Sequence, residues 1–180
     1  MFDILFKKKV TEDQLANYFV NSVFQLIEEG FADVAAVINT DSTFVKSPEI
    51  NPDNSDEFLM IVIAGNLKYM SQQFNDYQDV RLIDLVTKKF ANALGLSHAE
   101  MKTLIGKYQS YFSRINHPSK NTHYAMSKAF FFKYNLNCFQ EEYFKHMQTP
   151  NPVFLKHLDD IMENFIWDWS AFKDKYRIVQ

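Results

Sequence analysis

Residues 11–30 read TEDQLANYFVNSVFQLIEEG, and this stretch decides the fold. Thr11 is a helix-capping residue, and Gln14, three positions on, has the spacing to cap it in return. Val10 and Leu15 stand at the positions of a hydrophobic staple across that start. Leu15, Phe19, Val23 and Leu26 fall on one helical stripe, and Gly30 is the expected stop. Similar starts recur at Ser55, Asn75 (with Gln78), Ser97 (with Glu100) and Asn137 (with Gln140). With only four glycines and five prolines in the chain, this punctuation predicts a mainly helical protein.

Working outward, residues 56–74 carry Leu59, Ile63, Leu67, Met70 and Phe74 at helical spacing. Their first turns (FLMIVIA) are apolar all round, which places this helix at the centre. A buried strand over 58–64 is the alternative, because periodicity does not separate the two in so short a run. Further helices are expected over 76–94, closed by Gly95, and over 98–115, 120–135, 138–147 and 153–170. Residues 31–54 are read as a short helix and then a loop, with a small hairpin through NTDS as the alternative, since SPEINPDNSD is rich in turn formers. The expectation is an all-α, single-domain bundle of about six or seven mostly antiparallel helices spanning 1–180. Residues 31–54 are its loop-rich segment, and residues 1–10 form a flexible N-terminal tail.

Composition bounds the function. Eighteen Phe and nine Tyr supply enough apolar surface for a core without disulfides or metals. A net charge of −3 disfavours a nucleic-acid binder, whose domain is normally basic. The one cysteine, Cys138, forms no internal disulfide and points to a reducing, cytoplasmic setting. MFDILFKKK places its apolar residues before its lysines, the reverse of a secretory signal. No apolar run reaches the roughly 20 residues of a membrane span. Lys7, Lys8 and Lys9 offer at most weak contact with an anionic membrane surface.

Candidate chemistry is sparse. Residues 98–134 hold six basic side chains against one acid, whereas 41–84 hold eight acids against three bases. Lys107 and Arg114, seven apart, share a helix face with Tyr108, Tyr111 and Tyr124 interleaved, a candidate interface. Trp167 is a second candidate: a helix over 153–170 sets it opposite the apolar stripe that holds Trp169, where it is either packed under another segment such as residues 172–180, the preferred reading, or exposed as an interface anchor. His123, Met126 and Phe130 share one stripe and form a candidate pocket for an apolar ligand. No Glu-x-x-His or His-Glu-x-x-His pattern occurs, so a metal site on His146 or His157 is the weakest option. Cys138 with His146 two turns on is a poorly supported nucleophile–base pair. Glycine-rich phosphate loops are missing, and no cofactor is expected. The preferred function is a non-enzymatic interaction or adaptor module, engaging a protein partner or a second copy of itself. An apolar-ligand bundle comes second, and a metal-binding or enzymatic bundle third.

Overall fold

The computed structural model describes residues 7–75 and 77–180. Among them are eight α-helices, α1 (Glu12–Asn39), α2 (Asp56–Met70), α3 (Gln78–Leu94), α4 (His98–Ile115), α5 (Thr122–Lys133), α6 (Glu142–Met147), α7 (Pro152–Glu163) and α8 (Trp169–Lys175). Two short strands, β1 (Lys8–Thr11) and β2 (Tyr176–Val179), pair in parallel. The all-α bundle is therefore present, with six helices of at least 12 residues and two short ones.

α2 is the hub. Met60 through Leu67 are consecutively buried, which requires cover on every side of the helix. α1, α3, α4 and α5 provide it. Phe58 at its start meets Phe31, Phe130 and Phe165 at centroid distances of 5.4, 5.5 and 4.7 Å. Such ring pairs add about 0.5–1.5 kcal/mol each to the burial of their area. At Gly65 α5 packs close on α2, since an added Cβ there would clash with Met126 Sδ.

Two of the four expected capping boxes form. Thr11 Oγ1 accepts from the Gln14 amide at 3.1 Å while Gln14 Oε1 accepts from the Thr11 amide at 3.0 Å. Ser97 and Glu100 do the same at the head of α4. Gly95, at φ +70°, closes α3 in the left-handed conformation that glycine adopts without strain.

Several expectations are corrected. α1 does not stop at Gly30 but runs 28 residues to Asn39. Gly30 serves space instead, because the Phe165 ring would lie 3.2 Å from an added Cβ. Leu26 is 38% exposed, and Ile27 takes the core position beside Val23. The loop begins only after Thr40, where Asn39 brackets Ile50, donating to its carbonyl at 3.0 Å and accepting its amide at 2.7 Å. Ser55 makes no side-chain cap, and α3 opens after Tyr77 at φ 60° rather than at Asn75. The helix expected over 138–147 divides into a 3-10 turn at Leu136–Phe139 and α6, so Asn137 lies within the turn.

The 153–170 helix breaks at Asn164 because buried Asn66 of α2 competes for its backbone. Asn66 donates to the Phe165 carbonyl at 2.8 Å and accepts the Trp167 amide at 2.8 Å. A buried amide satisfied by backbone groups in this way outweighs continuation of the helix. The flexible tail expected over 1–10 is corrected at Lys8–Thr11, which form a strand paired with β2, while residues 1–6 lie outside the described residues. Lys7 donates from Nζ to the Lys173 carbonyl at 2.7 Å. Among the described residues no helix is long and apolar enough to cross a membrane.

Glu12 joins α1 to α3. Its carboxylate accepts from Arg81 Nη2 at 2.8 Å and Nε at 3.1 Å, and from Gln78 at 3.3 Å. The Arg81 hydrogen bonds hold the Glu12 carboxyl below its ordinary 4.5, against the opposing effect of burial. A lowered folded pKa adds stability that is complete above 4.5 and is lost as pH falls through the folded value. Glu12→Gln is expected to lower the melting temperature at neutral pH, and the deficit should shrink as the pH drops below 4.5. Thermal melts of both proteins across that range check this.

Candidate functional site

Seven residues apart on an α-helix is close to two turns, so Lys107 and Arg114 project from one side of α4. They open onto one groove of about 780 Å³ on its outer side, lined also by Leu104, Tyr108, Tyr111 and Lys133. Lys133 enters from the last turn of α5. Its Nζ lies 4.8 Å from the Tyr108 centroid and 5.3 Å from that of Tyr111, and the Arg114 guanidinium lies 5.2 Å from Tyr111. Among the described residues neither Lys107 nor Arg114 forms an ion pair.

An acid also borders the groove beside Lys133. Glu57, in the first turn of α2, accepts a short hydrogen bond from the Tyr108 hydroxyl and stands 3.5 Å from Lys133 Nζ. Burial, then the hydrogen bond and charge of Glu57, push the Tyr108 phenol far above its ordinary range. Tyr111 is also raised, chiefly by burial. Both phenols therefore stay protonated at neutral pH, and they act here as hydrogen-bonding and packing groups rather than bases.

A second concavity of about 550 Å³ lies on the other side of α4, against α2 and α3, and includes Lys68, Ile83, Lys102 and Ile105. Gly106 and Ser110 line both concavities, so the two meet across a low saddle in the middle of α4. A Cβ added at Gly106 would meet nothing within 4 Å.

The other sequence candidates lie elsewhere. Met126 and Phe130 are fully buried in the packed core, Met126 against Gly65 and Phe130 against Phe58 and Tyr134. His123 is half-buried and donates from Nε2 to the Asp159 carbonyl at 2.7 Å. Trp167 sits after the end of α7, so its assignment to a polar helix face is corrected: there is no helix at that point. Its ring is half-buried among Tyr18, Phe19 and Trp169, at 5.6, 5.1 and 5.8 Å, and its indole nitrogen is buried.

His157 pairs with Asp41 at 2.7 Å, while Cys138 and His146 occupy separate elements, not one helix. Among the described residues no group of three or more His, Cys, Asp or Glu is placed to hold a metal. Sequence reasoning missed Glu57 and Asp41 because their partners lie 51 and 116 residues away. No local spacing carries that signal.

Two substitutions separate packing from surface. Trp167→Ala is expected to lower stability by about 2 kcal/mol, less than the ~3–5 of a fully buried tryptophan. An unchanged denaturant midpoint would show that the ring is not part of the core. Gly106→Ala should stabilise by about 0.4–1 kcal/mol, since the helix gains propensity where there is space for the methyl group. A destabilised variant would mean that α4 is covered there.

Compared with known proteins, the chain matches no family model, no curated protein and no solved structure.

Proposed function

We propose that this protein is a non-enzymatic interaction module whose working surface is the outer side of α4. The observation that carries it is the pairing pattern of the charges. Lys88, Lys89 and Arg81 are each matched to a carboxylate of the protein itself, at 2.7, 2.7 and 2.8 Å. Lys107 and Arg114 share an aromatic-walled groove and have no such match among the described residues. Arg and Tyr are also the side chains in which interface binding energy concentrates. The exposed thiol of Cys138 fits a reducing, cytoplasmic setting for that partner.

Charge reversal tests the function. Lys107→Glu with Arg114→Glu should cost no more than about 1 kcal/mol, because both side chains are exposed, neither forms an ion pair among the described residues, and only the Arg114–Tyr111 contact is lost. The same double variant should lose the salt-sensitive partners that the wild-type protein captures from its own host. Exposed charges act over about 8 Å at physiological ionic strength, so recovery by the wild type should fall steeply as salt is added. Partners retained equally by both proteins would place the working surface elsewhere.

A further inference from the structure

A glycine in the interior of a helix costs about 0.5–1 kcal/mol relative to alanine. At Gly65 the near contact with Met126 accounts for it. At Gly106 nothing inside the molecule does, because the position has ordinary helical backbone and faces open space. Two concavities of about 780 and 550 Å³ converge on that point, and Gly106 and Ser110 form the floor between them. A partner approaching here meets backbone rather than side chains and can come nearer to α4 than anywhere else along its outer side. Helix axes separate by about 8–10 Å according to the size of the side chains at the crossing, so a glycine favours the closest crossing.

The chemistry around the saddle selects the occupant. Leu104 on one flank and Ile83 and Ile105 on the other supply apolar contact. Beyond them stand Lys107, Arg114 and Lys133 on the first flank, and Lys68 and Lys102 on the second. The acids beside these cations are already engaged: Glu57 by Tyr108 and Lys133, Asp84 by Lys88 and His98, and Glu100 by the Ser97 cap. Building on the interaction reading above, we propose that the saddle receives an amphipathic helix of a protein partner. Its apolar stripe crosses α4 at Gly106, and carboxylates on both its edges meet the two rows of cations.

Two other occupants fit less well. Single-stranded nucleic acid needs free aromatic faces for its bases. Here Tyr108 is buried, and cations already sit over the rings of Tyr108 and Tyr111. A two-fold dimer through this surface would set the same cationic rows against each other, which opposes association.

The test uses the full chain and three fluorescent probes at low salt. One is a synthetic amphipathic helix of about 20 residues, roughly 30 Å long, with Glu on both edges of a Leu stripe. The second has the same composition with two central prolines that prevent a helix, and the third is oligo(dT). The first probe is expected to bind in a salt-sensitive way and more tightly than the second. Gly106→Leu, which fills the saddle in open space, should weaken it roughly tenfold or more, as loss of a central contact does. Melting temperature and circular dichroism of Gly106→Leu verify that the fold is kept.

Equal binding of the first two probes, unaffected by Gly106→Leu but lost in the Lys107→Glu/Arg114→Glu double variant, would overturn the helix and leave the cationic interaction surface standing. Preference for oligo(dT), or no binding of any probe, would overturn both. A dimer of the chain itself, dispersed by Gly106→Leu, would overturn the acidic partner in favour of self-association.

Discussion

The constraint on which the structure depends is that α2 has no face to give to water. Eight consecutive buried residues, Met60 to Leu67, require four helices around it. Each buried aliphatic or aromatic side chain there contributes about 1.5–3 kcal/mol, set against a net stability of only about 5–15 kcal/mol for a whole domain. A bundle with α2 unpaired on any side would lose a large share of that margin. Gly65 allows α5 to close over the hub, and Asn66 draws the segment after α7 across it.

This arrangement also settles which surfaces remain free. α4 uses Met101, Ile105, Tyr108 and Phe112 to reach the core, which commits its inner side. The cations at 107 and 114 are carried on the other side by the same helical period. Because α4 is anchored at its head by a full capping box and along its length by buried residues, the groove rests on a rigid element. Glu57 couples the groove to the hub, since it leaves the first turn of α2 and holds both Tyr108 and Lys133.

What could be read in the sequence follows from how local the physics is. The capping boxes at Thr11 and Ser97 and the placement of α2 at the centre depend on neighbours within a few residues, and all were legible. So was the shared face of Lys107 and Arg114, which needs only the helical period. Gly30 misled because a glycine marks either a helix end or a close approach, and the Phe165 ring that decides between them lies far along the chain. The break after Glu163 was hidden for the same reason. It is set by Asn66, 99 residues from Phe165, and without it Trp167 reads as lying on the polar face of a helix. The β1–β2 pairing likewise joins segments separated by most of the chain.

Gly65 and Gly106 sharpen the distinction between folding and function. Both lie within helices, and each gives up a favourable alanine. For Gly65 the loss is offset inside the molecule, because α5 could not otherwise approach α2 so closely. For Gly106 the protein gains no packing at all, yet the position lies where two concavities and two rows of cations converge. Natural sequences tend to depart from local optimality at functional sites. A residue that weakens its own helix without helping the fold fits the partner helix proposed to cross α4 there.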